Sequence, residues 1–219
     1  MPVMARTGFL VIALVAATAT LVAFERTLDP RTLAEAIDIG QSRIDAARSR
    51  FHAPYHVVVA RAPVDYVEVV TPFRRVALDA EARTRAGERL FGQREALATL
   101  GTDPSRVDIV VEMTFHPLNT FVGVPDYAVT LQASADTLPL HPRQMGRIPR
   151  FGQRLAGMPL PYPYSAGGLP PNGSQPLLGG SLVATFDGLV LDAQGTYWAV
   201  IRDSEMELAR ARVDFAKLR

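Results

Sequence analysis

The sequence predicts an α+β fold that is mainly β, organised as an antiparallel β-sandwich with an N-terminal amphipathic helix, a short helical insertion and a long loop rich in proline and glycine. Three observations predict this fold. Short segments of alternating apolar and polar residues recur along the chain, two stretches carry apolar residues at helical spacing, and prolines and glycines concentrate in one region. The chain has 219 residues, of which 48% are hydrophobic and 21% charged, so it is long enough to bury one core.

The predicted N-terminal helix covers residues 29–52 and contains the run DPRTLAEAIDIGQSRIDAARSRF. Asp29 can cap this helix, and Pro30 suits its first turn. Apolar residues recur at steps of three and four: Leu33, Ile37, Ile44, Ala47 and Phe51. We expect this stripe to pack on the following domain, with contact to a membrane surface or a partner as the alternative.

The predicted sandwich domain covers residues 55–219. Its first strand candidates are YHVVVA, VDYVEVV, VDIVVEMTF and YAVTLQ, which begin at Tyr55, Val64, Val107 and Tyr127. Each alternates in a way that is typical of a strand with one buried face. Near the C-terminus SLVATF, GTYWAVIR and LARARVDF follow, and the last two predict a hairpin across the turn DSEM.

Two segments interrupt the strands. Residues 79–100 are charged, rich in alanine and glutamate, and apolar at helical spacing, which predicts the helical insertion. Residues 139–181 hold nine prolines and eight glycines in 43 positions, which predicts a long loop that supports neither a helix nor a central strand. A loop of this length within a compact domain is either functional or mobile.

The run LDAQGTY, which ends at Tyr197, resembles the corner that leads into a late strand of immunoglobulin-like sandwiches. The resemblance implies that Tyr197 is the corner tyrosine. It also favours a sandwich, either immunoglobulin-like or another antiparallel β-sandwich, over other β architectures.

Residues 1–24 predict a signal peptide or a membrane anchor. Arg6 precedes GFLVIALVAATATLVAF, an uncharged run of 17 residues from Gly8 to Phe24. The tripeptide Ala17-Thr18-Ala19 fits a small-x-small cleavage site, which favours a mature chain that begins at Thr20. A retained anchor is the alternative, because 17 residues are short for a span but can suffice with snorkelling ends. The expected location is therefore the periplasm, the cell envelope or the inner membrane of a bacterial-type cell.

Composition excludes several function classes. The formal net charge of +1 argues against a nucleic-acid partner, and the absence of cysteine excludes disulfides and thiolate metal sites. His52 and His56 are four residues apart, but Pro54 lies between them, so one helical face cannot present both to a metal. We therefore predict no metal site and no cofactor. His116, which precedes a proline, is predicted to be a turn residue.

The predicted binding site is a group of arginines in HPRQMGRIPRFGQR, which begins at His141. No acidic residue lies between Asp136 and Asp187, so this segment carries a local charge of +4. Apolar residues interleave with the arginines, as in surfaces that meet an anionic partner. The candidate residues are Arg143, Arg147, Arg150 and Arg154. The alternative interpretation is that these arginines pair with acidic groups of the domain itself.

From these observations we expect an exported or membrane-tethered envelope protein with a non-catalytic binding or structural role. Its predicted partner is an envelope protein or the headgroups of anionic lipids. The alternative is a periplasmic hydrolase whose site is assembled from scattered residues, such as His116 and Asp126 with a serine. Convergence of these three side chains in one pocket would favour the hydrolase.

Overall fold

The computed structural model describes residues 24–88, 90–116, 118–152 and 176–219. Within these ranges the chain forms four α-helices and eight strands. The predicted α+β class with antiparallel strands is confirmed, and the strands form two sheets. The helices are α1 (Pro30–Gln41), α2 (Asp45–His52), α3 (Pro72–Arg85) and α4 (Gln93–Leu100). The strands are β1 (His56–Arg61), β2 (Val64–Val70), β3 (Arg106–Thr114), β4 (Ala128–Gln132), β5 (Gln144–Phe151), β6 (Leu177–Asp187), β7 (Thr196–Asp203) and β8 (Met206–Asp214).

The larger sheet has the strand order β1-β2-β3-β6-β5, and the smaller one has the order β4-β7-β8. All neighbouring strands are antiparallel. Alternate residues of both sheets enter one hydrophobic core, among them Ile109 and Leu182 from the larger sheet and Ile201 and Val213 from the smaller one. The alternation that predicted the strands therefore identifies the faces that are buried.

The helices form a second hydrophobic core. Its buried residues include Leu33 and Ile37 of α1 and Phe73 and Val76 of α3. Phe51 packs against both cores and joins the helices to the sheets. Arg75 of α3 also pairs with the buried Asp108 of β3, with 3.0 Å between Nη2 and Oδ2.

The segment predicted as one helix over residues 29–52 is two helices. The predicted cap is confirmed, because Asp29 Oδ1 accepts a hydrogen bond from the backbone N–H of Thr32 at 2.7 Å. The helix then stops at Ser42, whose ψ of 131° is not helical and whose carbonyl accepts a hydrogen bond from Arg48. Ile44 lies between the two helices with an extended backbone and is 64% exposed, so the predicted apolar stripe is broken.

The helical segment predicted for residues 79–100 begins earlier, at Pro72. Thr71 caps α3 by accepting from the backbone N–H of Arg74 at 3.2 Å, and proline occupies the first turn. Only Thr71 separates the end of β2 at Val70 from the start of α3 at Pro72. The alternating pattern of the strand therefore changes to the helical spacing of apolar residues without a loop between them.

The prediction that residues 139–181 form one loop is wrong for the parts of this segment that the structure describes. Strand β5 lies within it, and β6 begins within it at Leu177. Strand β5 contains Pro149, which a central strand would not tolerate. It is accommodated because β5 is an edge strand that pairs with β6 alone among the described residues.

Phe24, which the sequence assigned to the signal or anchor, belongs to the folded core. It is 2% exposed, and its ring centroid lies 5.3 Å from that of Phe215. Residues 1–23 of the predicted signal or anchor lie outside the described residues. Among the residues that the structure describes, no helix is long and apolar enough to cross a membrane.

Tyr197 lies at the start of β7, where the sequence placed the corner tyrosine. Its hydroxyl oxygen accepts a hydrogen bond from the backbone N–H of Asp192 at 2.9 Å, and its ring packs edge-on against Phe215. This contact ties the connection between β6 and β7 to the core.

Candidate functional site

Three of the four predicted binding residues lie on or directly before β5. Arg147 and Arg150 are within the strand, Arg143 precedes it, and Arg154 lies outside the described residues. All eight residues of β5 are at least partly exposed. The sequence predicted a loop for these arginines, and the structure instead places Arg147 and Arg150 on an exposed edge strand.

Each of these three arginines has a carboxylate partner within the chain. Arg143 pairs with Asp187, and Arg147 pairs with Asp126. Arg150 Nη2 lies 3.4 Å from Glu112 Oε1. The sequence interval between Asp136 and Asp187 contains no acid, but strand pairing and the loop before β4 bring acids from elsewhere. The local charge of +4 is therefore largely compensated in space.

Arg147 and Arg150 project from opposite faces of the sheet. Arg147 is paired in register with Leu182, whose side chain is buried in the core. Arg150 is paired with Gly179 and reaches Thr114 on the outer face. Residues three apart in a strand point to opposite sides, so no flat surface presents both guanidinium groups.

Arg150 also has a structural role. Its Nη2 donates to the carbonyl oxygen of Met113 at 2.9 Å and to Thr114 Oγ1 at 3.2 Å, so it reaches across β6 to β3. The absence of a side chain at Gly179 permits this, because a Cβ at that position would lie 2.5 Å from Arg150 Nη2. Arg150 therefore fastens the edge strand to the third strand of the sheet.

A second polar site lies between α2 and α3 and was not predicted. It is an open cleft of about 510 Å³. The residues that line it are Asp45, Arg48, Ser49, His52, Glu81 and Arg85. The buried carboxylate of Glu81 is its centre. It accepts from Arg85 Nη2 at 2.6 Å, pairs with His52 Nε2 at 3.0 Å, and lies 3.0 Å from Arg48 Nε in a third ion pair.

The hydrogen bonds of His52 fix its tautomer. Nδ1 lies 3.4 Å from Nε of Arg74, which can only donate, so Nδ1 is the acceptor. Nε2 therefore carries the proton and donates to Glu81. Burial lowers the pKa of His52 below its ordinary value, while the hydrogen bond with Glu81 opposes that shift. His52 is a neutral residue in this arrangement.

This geometry limits the chemistry of the cleft. A general base needs a free imidazole lone pair within reach of the proton that it removes. In His52 that lone pair is directed at Arg74, whose other nitrogens donate to Val69 and Glu68. The cleft is thus a set of paired charges that holds α2 against α3. Sequence reasoning missed it because Glu81 is 29 residues from His52, and no local spacing connects them.

The residues that the sequence considered for hydrolysis do not converge in the described structure. The Nδ1 atom of His116 accepts from the backbone N–H of Leu118 at 3.2 Å, and its carbonyl accepts from that of Asn119 at 2.9 Å, which confirms the predicted turn. Asp126 pairs with Arg147 instead. Within the described ranges, no group of three or more His, Asp or Glu residues is arranged to hold a metal ion.

No protein family matches the chain, and comparisons with curated proteins and with solved structures also gave no match.

Proposed function

We propose that this chain is an exported or membrane-tethered protein of a bacterial-type cell envelope, with a non-catalytic binding or structural role. The support for the location is the N-terminal apolar run, which ends at Phe24. The support for the binding role is the exposed edge strand β5 with its arginines. No nucleic acid is expected as a partner, because the charges of the whole chain nearly balance.

The observation that carries the binding role is that the arginines of β5 remain accessible despite their partners. Their side chains are between 35% and 57% exposed, and Asp126, which pairs with Arg147, is 93% exposed. An exposed ion pair contributes only about 0–1 kcal/mol, so an anionic partner can replace Asp126 with little loss. Asp187 and Glu112 are only 13% and 19% exposed, so their replacement costs more.

The arrangement of these arginines favours one class of anionic partner. Arg147 and Arg150 project from opposite faces of an edge strand, so a flat membrane surface cannot contact both. An acidic, extended protein segment that follows the strand can contact both guanidinium groups. We therefore propose an acidic envelope protein as the partner of β5, in preference to lipid headgroups.

A photo-crosslinking residue at Ile148, which is 58% exposed, tests this role in cells that export the full chain. We expect one protein adduct that is lost when Arg143, Arg147, Arg150 and Arg154 are all changed to glutamine. Arg210→Gln is the matched control, because Arg210 is a half-exposed arginine in an ion pair on β8 of the other sheet. An adduct that survives the quadruple change, or one with lipid alone, would contradict the proposal.

N-terminal sequencing of protein recovered from the envelope tests the location. A chain that begins at Thr20 indicates a cleaved signal, and one that retains Met1 or Pro2 in the membrane fraction indicates a tether. Full-length protein in the cytosol would contradict both forms of the proposal.

We also propose that the two sheets form an immunoglobulin-like sandwich. The support is the strand order. If β2 to β8 are taken as strands A to G, the larger sheet contains A-B-E-D and the smaller is C-F-G, which is the constant-type arrangement. Strand β1 is then an addition beside A, and Tyr197 lies at the start of F. An experimental structure with the sheets packed at about −30° would support the proposal, and orthogonal packing would contradict it.

A periplasmic hydrolase remains the alternative function, and the cleft beside His52 is the observation in its favour. A volume of about 510 Å³ is enough for a small ligand, and Ser49 lies in the lining. Catalysis by His52 would require its Nδ1 to leave Arg74 first. A panel of chromogenic esters and phosphoesters tests this alternative, and turnover that is abolished by His52→Ala would replace the binding proposal.

A further inference from the structure

An exposed apolar turn connects β6 to β7. Leu189 and Val190 are 59% and 60% exposed at its tip. The turn is ordered by its own hydrogen bonds, since the backbone N–H of Leu189 donates to Asp187 Oδ1 at 3.0 Å and that of Val190 to the carbonyl of Asp187 at 3.3 Å. Two aliphatic side chains are therefore held in solvent by a well-defined backbone.

This turn lies directly against the first described residues of the chain. A Cβ at Gly188 would lie 3.3 Å from the ring of Phe24. Two residues further along, Arg26 donates from Nε and Nη2 to the carbonyl oxygen of Leu191, at 3.1 and 2.6 Å. The turn is thus fixed beside the point at which the N-terminal apolar run enters the folded domain.

We propose that Leu189 and Val190 insert into the surface of the membrane that holds the N-terminal run. This inference rests on the tethered form of the proposed function. Because Phe24 is buried in the domain, the run keeps at most 16 residues, from Gly8 to Ala23, for the membrane. A helix of that length would measure about 24 Å, against about 30 Å of bilayer hydrocarbon, which leaves no linker between the domain and the bilayer.

The charges around the turn indicate that apolar insertion, rather than headgroup charge, drives this contact. Arg26 and Arg143 lie near it, but Asp187 pairs with Arg143, and Asp103 Oδ2 is 3.7 Å from Arg143 Nη1. The positive and negative groups at this end of the sheet therefore offset one another. We expect insertion into zwitterionic as well as anionic bilayers.

The opposite end of the larger sheet supplies a matched control. Val122 is 94% exposed in the loop after β3, next to Phe121, whose ring packs on Phe115. Strand β3 runs between the two ends, and its nine residues make eight steps of about 3.3 Å, which together span about 26 Å. A membrane that lies across the end of β3 next to Val190 is therefore out of reach of Val122.

The chain contains no cysteine, so single cysteines can be labelled without other changes. We would prepare the full chain with Val190→Cys, Leu189→Cys or Val122→Cys, attach a bimane fluorophore, and add vesicles of phosphatidylcholine with and without phosphatidylglycerol. Sedimentation measures binding, and lipids with a nitroxide on the acyl chain quench a fluorophore that has entered the bilayer. Circular dichroism melts confirm that each labelled chain is folded.

We expect a blue shift and loss of fluorescence for labels at 189 and 190, and neither change for the label at 122. If the chain sediments but the labels at 189 and 190 are not quenched, or the label at 122 is quenched equally, only the inserted turn is wrong. If the chain stays in the supernatant, the tethered form of the proposed function fails, and the inserted turn fails with it.

Discussion

The guanidinium of Arg219 lies over the ring of Phe73, with 4.6 Å between its central carbon and the ring centroid. Arg219 also pairs with Glu35 of α1, and the hydroxyl of Tyr55 donates to its carbonyl oxygen at 3.1 Å. Phe73 is a fully buried residue of α3. The side chain of Arg219 thus joins α1 and α3 to the C-terminal end of the β-domain.

We expect Arg219→Ala to lower the free energy of unfolding by about 1–2 kcal/mol, because a partly desolvated cation–π contact and an ion pair are lost together. Urea unfolding measures this change. Arg210→Ala is the matched control, since Arg210 also makes an ion pair and a longer cation–π contact, 5.9 Å from the Trp198 ring, but at a half-exposed site. Its loss should change stability by at most about 0.5 kcal/mol. Equal effects of the two changes would show that Arg219 does not fasten the helices.

We expect Phe24→Ala to lower the free energy of unfolding by about 3–5 kcal/mol, because it leaves a cavity beside Phe215. Phe121→Ala is the control for loss of an aromatic ring at a site that is 43% exposed, and its effect should be clearly smaller. Thermal and urea unfolding of the two variants measure the difference. If Phe24→Ala were as stable as the unchanged chain, Phe24 would not be part of the folded core.

We expect Gly179→Ala to destabilise the protein by about 1–3 kcal/mol, because a Cβ there meets both Arg150 and the carbonyl oxygen of Met113. Removal of the arginine should not rescue this variant, since the contact with the backbone of β3 remains. Gly123→Ala is the control, because no other atom lies within 4 Å of a Cβ at that position. Full rescue by Arg150→Ala would show that only the arginine side chain is displaced.

We expect His52 to make stability depend on pH. Burial lowers its pKa in the folded state, so between the folded and unfolded pKa values the unfolded chain binds more protons. The contribution of neutral His52 is therefore fully present above the unfolded pKa of about 6.5 and is lost as the pH falls through the folded pKa. Protonation would also place a proton on Nδ1 opposite the N–H of Arg74.

Urea midpoints measured from pH 7.5 to 5 for the unchanged chain and for His52→Gln test this dependence. Carboxylates that do not contact His52 contribute equally to both chains, so the difference between the two curves reports on His52 and its partner Glu81. We expect the difference to shrink as the pH falls. A constant difference over this range would contradict a lowered pKa for His52.

The sequence by itself determined the elements whose signals are local. Alternation in β2, β3, β7 and β8 marks their buried faces because successive side chains of a strand point to opposite sides. Asp29 and Pro30 mark the start of α1 because capping uses only neighbouring backbone N–H groups. The hydrogen bond between Tyr197 and Asp192 also spans only five residues, so a short run of sequence could indicate that Tyr197 orders this connection.

Only the tertiary structure decided the features that depend on distant residues. Residues 144–151 form a strand in spite of Pro149 because β6 is the one strand that pairs with them among the described residues, which makes β5 an edge strand. The arginines of that strand meet Asp187, Asp126 and Glu112, which no charge count along the segment could place beside them. His52 meets Glu81 only because α2 packs on α3. Contacts between distant residues decide which charges are compensated. The sequence could therefore indicate that the arginines lie at the surface, but not which carboxylates of the same chain they pair with.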